Sequence, residues 1–113
     1  MEIHQFEDHG ALVVVPVGRL DSTTSPKFDQ HLAALAASGE RGLVIDFGDV
    51  EYISSAGLRV LLLLARHMRD QKGRLALCAL GDRVRQVFEL AGFVPLFQIR
   101  ESRADAVREV ARA

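Results

Sequence analysis

The chain has a single cysteine in 113 residues, no strong charge of either sign, and no apolar run long enough to cross a bilayer. Each shortage excludes something. A lone cysteine forms no disulfide within the chain, and Cys78 lies inside Leu75-Ala76-Leu77-Cys78-Ala79-Leu80. It reads as a small buried hydrophobe and not as a nucleophile, which fits a reducing, intracellular, cytoplasmic setting. The longest apolar run, Val60 to Ala65, is far below the roughly 20 residues of a spanning helix, so no membrane segment is expected. The start, Met1-Glu2-Ile3-His4, lacks a basic region followed by an apolar one, and no signal peptide is expected. The net charge of −1 offers no bulk attraction to nucleic acid or to an anionic membrane.

Chemistry-bearing motifs are equally scarce. His4, His9, His31 and His67 are scattered, with neither HExxH nor a Cys/His spacing for a metal. There is no GxxxxGK[ST] and no GxGxxG, so the usual phosphate cradles are missing. Ser55 has no GxSxG elbow around it. Asp21, Asp46 and Asp49 could gather near Ser55 at one edge of a sheet, but carboxylates there read first as loop and cap residues. The chain is expected to be no enzyme and to need no cofactor and no metal.

What is present is a core. Hydrophobic residues make up 49% and charged residues 26%, which suits one globular domain over residues 1–113. Ile3 to Phe6, the turn Asp8-His9-Gly10 and the Val-rich run Ala11 to Val17 predict an antiparallel hairpin, with Pro16 at a strand end or on an unpaired side. Gly18 to Asp21 then leaves the sheet. Ser22 to Ser25 and Pro26 open a helix with the stripe Phe28, Leu32, Leu35 and Ala36. Arg74 to Ala79 is a strand. Gly81-Asp82 starts a third helix with the stripe Val84, Val87, Phe88 and Ala91. Phe93 to Ile99 is a short extended segment broken by Pro95, and Ser102 caps a last helix carrying Ala106, Val107 and Val110. A hairpin followed by alternating strands and helices predicts an α/β fold, a small mixed, mostly parallel sheet with covering helices.

The stretch Leu43 to Leu64 organises the rest. Leu43-Val44-Ile45 is a buried strand ending at Asp46, Gly48-Asp49 is a turn, and Tyr52-Ile53 returns to the core. Ser54 and Ser55 open a helix with Leu58, Leu61, Leu62, Ala65 and Met68 on its buried side. That helix runs to about Gln71. Arg59, Arg66, His67 and Asp70 fall on the opposite side, with Leu63 in their middle. Two hydroxyls therefore stand at a helix N-terminus, which carries free N–H groups and about half a positive charge. A serine there is either a plain N-cap or a phosphorylation site.

Three stretches, in order, bear on that choice. They are Gly18-Arg19-Leu20-Asp21; Asp46-Phe47-Gly48-Asp49-Val50-Glu51-Tyr52-Ile53 leading to Ser54-Ser55-Ala56-Gly57-Leu58; and Val84-Arg85-Gln86-Val87-Phe88-Glu89-Leu90-Ala91-Gly92-Phe93. Through them the chain resembles the STAS-domain anti-sigma-factor antagonists, the bacterial partner-switching proteins, over nearly its whole length. The resemblance implies the STAS fold and a protein without activity of its own. It implies binding to a GHKL-type serine kinase that doubles as an anti-sigma factor, release on phosphorylation of one serine, and reversal by a PP2C-type phosphatase. In relatives reading Asp-Ser-(Ser/Thr)-Gly-Leu the modified serine stands two residues before the glycine. That glycine corresponds to Gly57, so the serine corresponds to Ser55. Ser54 replaces the aspartate, and Ala56 replaces the following hydroxyl. The partner surface implied around Ser55 takes in Asp21, Ser54, Ala56, Gly57, Arg59 and Leu63. The alternative is a STAS module that is never phosphorylated and binds a small ligand or scaffolds a larger complex.

Overall fold

A computed structural model describes residues 1–111. The elements run β1 (Glu2–Asp8), β2 (Ala11–Leu20), α1 (Ser25–Ala37), β3 (Gly42–Asp46), β4 (Val50–Ile53), α2 (Ser55–Asp70), β5 (Arg74–Cys78), α3 (Asp82–Leu90), a 3₁₀ turn (Val94–Leu96), β6 (Gln98–Arg100) and α4 (Arg103–Val110). They form a six-stranded sheet in the order β1-β2-β3-β5-β6, with β4 paired to the far end of β2. Among the described residues only β1 and β2 pair antiparallel; the remaining pairs are parallel. This is the mixed, mostly parallel α/β sheet expected from the alternation of strand and helix.

The period-2 alternation of the strands divides the core into two layers. Leu12, Val14, Leu43, Ile45 and Leu77 point toward α1, α2 and α3, where Phe28, Phe47, Phe88, Leu61 and Met68 fill the layer. Val13, Val15, Val44, Ala76 and Cys78 point the other way, against Ala106, Val107 and Val110 of α4. Small residues on this second face let a short helix close it. Cys78 is fully buried. Burial, reinforced by the Asp46 charge, pushes its thiol up to about 12, so it stays protonated and inert.

Several expectations are corrected. Gly18 to Leu20 does not leave the sheet. These residues extend β2 and pair with β4, with a register shift between Gly18 and Arg19. β4 itself is a full strand, where the sequence marks only Tyr52-Ile53 as a return to the core. Its ends Val50 and Ile53 are buried, whereas Tyr52 is half-exposed. Pro16 lies between the part of β2 paired to β3, at Leu12 to Val14, and the part paired to β4, from Gly18. That gap tolerates a residue without an N–H. The segment before β6 is a 3₁₀ turn around Pro95 and not extended. In α2 the buried residues are Gly57, Leu58, Val60, Leu61, Leu64 and Met68, while Leu62 and Ala65 are only half-buried. A single-sided wheel misplaces this arc because α2 packs on α1 as well as on the sheet. Ala91 is exposed just beyond α3, and Leu35 and Val87 are only partly buried.

Candidate partner-binding site

Three chain segments meet at the end of β2. Asp49 O accepts a hydrogen bond from Gly18 N (2.9 Å), and Leu20 O accepts one from Ser54 N (2.8 Å). The first turn of α2 is thereby tied to the last residue of β2. Gly57 makes that approach possible. A Cβ there would lie 2.8 Å from Ile53 Cγ1, 3.1 Å from Leu20 Cβ and 3.2 Å from Leu20 O. No side chain fits without lifting the helix off the strands.

Ser54 occupies the N-cap position in extended backbone (φ −98°, ψ 176°), yet its side chain makes no capping bond. Its Oγ is buried and has no hydrogen-bond partner among the described residues. Ser55, the first helical residue, is exposed. No acidic residue lies in the first turn of α2, whereas His67 and Arg69 lie in its last turn. The positive end of the helix dipole therefore faces Ser55 without a carboxylate in its own first turn to offset it. Ser54 turns its hydroxyl inward, and Ser55 is exposed.

Asp21 is held by its own loop. Its Oδ1 accepts from Thr23 Oγ1 (2.7 Å), Thr23 N (3.0 Å) and Thr24 N (3.2 Å). The Thr23 hydroxyl first, and the backbone N–H groups of Thr24 and Thr23 after it, hold the carboxyl below the usual carboxylate range against the opposing effect of burial. Thr24, the N-cap of α1, turns its hydroxyl back to Arg19 O at 2.7 Å. Asp21, and not one of the residues Ser22 to Ser25, thus organises the entry to α1, through an Asx turn.

Arg19 is the residue the sequence reading passed over. Its guanidinium lies 4.7 Å from the centroid of the Tyr52 ring, and its Nε is 3.7 Å from Asp21 Oδ2. A cation on an aromatic face, on paired strands that lead into the Asp21 loop and into Ser54, is a built feature of this edge. The signal available was the Gly-Arg-Leu-Asp stretch itself, but the aromatic partner becomes visible only once β2 and β4 are paired.

The carboxylates do not gather. Asp46 points to the opposite face of the sheet. There its Oδ2 accepts from Arg103 Nε (2.8 Å) and its Oδ1 from Gly48 N (2.8 Å). Among the described residues no group of His, Cys, Asp and Glu is arranged to hold a metal. Among the same residues no helix is long and apolar enough to cross a membrane.

Arg59 is exposed one turn beyond Ser55. Leu63 is 38% exposed and lines a shallow groove of about 240 Å³ between α1 and α2, with Asp29, Leu32, Ala33 and His67. A second depression of about 290 Å³, lined by Ser22, Ser25, Pro26, Asp29, Ala56 and Val60, lies nearer the helix starts. Asp29 borders both, so the two form one face running from Ala56 to Leu63.

Known proteins share this fold. The STAS domain family model matches residues 2–106. The candidate anti-sigma factor antagonist BtrV of Bordetella bronchiseptica is 43% identical over 106 residues, covering 94% of this chain and 91% of its own. The solved structure of an anti-sigma factor antagonist from Mycobacterium paratuberculosis matches with a TM-score of 0.89 at 27% identity, over 98% of this chain and 94% of that one. SpoIIAA of Bacillus, solved unphosphorylated and phosphorylated, shares the fold with TM-scores of 0.79 and 0.72 at 17% identity, over 95% of this chain and 95% and 97% of those chains. With the family model spanning nearly the whole sequence and a relative at 43% identity covering 94% of it, this chain belongs to the STAS domain family.

Proposed function

We propose that the protein is an anti-sigma-factor antagonist working as a partner switch, without catalytic activity of its own. Unmodified, it binds a GHKL-type serine kinase that is also an anti-sigma factor. The kinase phosphorylates Ser55, the complex separates, and a PP2C-type phosphatase restores the binding form. Such partners place it in the cytoplasm. The observation that carries this reading is Ser55 itself: an exposed hydroxyl on the first residue of a 16-residue helix whose first turn has no acid. The helix is fixed against β2 and β4 by the close approach at Gly57.

Phosphate brings about −1.5 to −2 charge. Within the protein that charge meets the positive end of α2 and is tolerated. Across an interface built for a hydroxyl it is not. The existence of SpoIIAA in phosphorylated and unphosphorylated forms of one fold supports a scaffold that carries a phosphate without unfolding. The partner face would run from Ser55 and Ala56 past Arg59 to Leu63, flanked by Asp21 and backed by Ser54 and Gly57.

Incubation with a cognate kinase and ATP, followed by intact-mass measurement, tests this directly. The expected result is the gain of one phosphate in the wild type and none in Ser55→Ala. A chain that binds the kinase but never gains mass would favour a STAS module that works as a scaffold or ligand-binding domain.

A further inference from the structure

The far end of α2 carries a feature that the switch does not use. An open cleft of about 470 Å³ lies between the last turns of α2, the start of β5 and the 3₁₀ turn before β6. Its apolar side is formed by Met68, Leu75, Leu96 and Phe97. Met68 is fully buried, whereas Leu96 is 53% exposed. Gly73 leaves room for the Met68 methyl group, since a Cβ at that glycine would lie 2.8 Å from Met68 Cε.

The charged side is Arg69, Lys72 and Arg74, all exposed, and no carboxylate belongs to the lining among the described residues. Arg69 and Lys72 make no ion pair among the described residues. Arg74 Nη1 donates to a neutral acceptor, Glu109 O (3.2 Å), while the Glu109 carboxylate is taken by Arg100. Three cations with no ion pair among the described residues thus share one cleft in a chain whose net charge is −1. The C-terminal end of a helix favours cations, but it carries only about half a negative charge, which leaves a clear positive surplus. Lys72 also stands in the left-handed region (φ 59°), just beyond the helix end where glycine is the usual residue. The chain accepts that strain and keeps a cation at the rim.

A cleft of this size falls within the range of small-molecule sites, about 300–1,000 Å³. Its chemistry is that of an amphiphile: apolar contact on one side, positive charge on the other. We propose that the cleft binds a small amphiphilic anion, a carboxylate or sulfate carried on an alkyl or aryl body. The inference is independent of Ser55, which stands at the other end of the same helix.

The test uses decanoate below its micelle concentration, titrated into the isotope-labelled full chain while backbone amide shifts are followed. Saturable shifts confined to residues 68–75 and 95–98, with none at residues 54–58, are expected. Decanol and decyltrimethylammonium, which keep the apolar body and lose or reverse the charge, should not produce them. Arg69→Gln with Lys72→Gln removes two exposed charges without opening the core, and should weaken decanoate by at least about fivefold. Equal binding of the cationic or neutral amphiphile would overturn the proposal. So would shifts spread over the surface without saturation, or undiminished binding by the double variant.

Discussion

The two ends of α2 are built on opposite rules. The N-terminal end has no acid in its first turn, presents one hydroxyl to solvent and turns another inward, and is fixed by Gly57 to the ends of two strands. The C-terminal end is crowded with cations and opens onto a cleft. Both ends rest on a glycine at which a Cβ would come within 2.8 Å of a side chain, Ile53 Cγ1 in one case and Met68 Cε in the other. The obstacles differ in kind. Ile53 is fully buried on β4, and Leu20 Cβ and O follow at 3.1 and 3.2 Å. Met68 Cε is the tip of a flexible side chain, backed by Arg41 O at 3.0 Å.

The sharpest way to break that comparison is Gly57→Ala. Alanine in place of glycine inside a helix gains about 1 kcal/mol of intrinsic preference. Forcing a methyl group into a filled core costs about 1–3 kcal/mol, and here it meets two strands at once, so the net effect is destabilising by about 1–2 kcal/mol. Tm should fall by roughly 4–8 °C per kcal/mol, and kinase affinity should fall with it as Ser55 is displaced. Gly73→Ala should cost about as much, because Arg41 O at 3.0 Å and Arg41 Cα at 3.3 Å still meet the new Cβ even where the Met68 methyl group moves. A Gly57→Ala chain as stable as wild type, measured by thermal unfolding, would show that the start of α2 is not fixed as described.

Next in size is Ser55→Asp. A carboxylate at a helix N-terminus is favourable by about 0.3–1 kcal/mol, so Tm should hold or rise slightly. Affinity for the kinase should drop by about tenfold or more, about 1.4 kcal/mol, because a charge enters the contact. Ser55→Ala should keep its affinity and lose release. Stability and binding thus move in opposite directions at this end of the helix, while Lys72→Gln at the other end leaves kinase affinity unchanged. Isothermal titration of each variant with the kinase separates these outcomes, and equal affinity of wild type and Ser55→Asp would remove the mechanism.

A smaller effect is expected at Leu63. Because it is 38% exposed and only borders the groove between α1 and α2, Leu63→Ala opens no core cavity and should leave Tm within a few degrees. If the kinase extends down this face, affinity falls by about 1 kcal/mol. A large loss of stability would show instead that Leu63 holds the two helices together.

Much of the fold was legible because hydrophobic period and turn chemistry agree along most of the chain. The hairpin, β3, β5, α3 and the Ser102 cap of α4, whose Oγ accepts from Asp105 N at 3.1 Å, all follow from local pattern. What was not legible depends on pairing at a distance. Gly18-Arg19-Leu20 reads as a loop because its strand character comes from β4, some thirty residues on. Val60 and Leu64, assigned to neither side by a wheel that knows only the sheet, are buried, and α2 packs on α1 as well as on the sheet. At the site, the exposure of Ser55 was legible from the helix start. The inward turn of Ser54, the enclosure of Asp21 by Thr23 and Thr24, and the stacking of Arg19 on Tyr52 were not, because each needs a neighbour that the sequence places elsewhere.

The smallest effect concerns which arginine meets a phosphate on Ser55. Arg59 lies four residues along the same helix face and is exposed, with no ion pair among the described residues. Arg19 is already engaged, stacked on Tyr52 and 3.7 Å from Asp21, so recruiting it would cost contacts it has. Arg59 is therefore the better partner, although an exposed pair contributes under roughly 1 kcal/mol. Arg59→Ala should leave the unmodified protein unchanged in Tm. In the phosphorylated protein it should move the phosphorus resonance and the amide signals of residues 55–58, and Arg19→Ala should move them less. Identical spectra for phosphorylated wild type and Arg59→Ala would leave the helix dipole and the free N–H groups as the phosphate's only support.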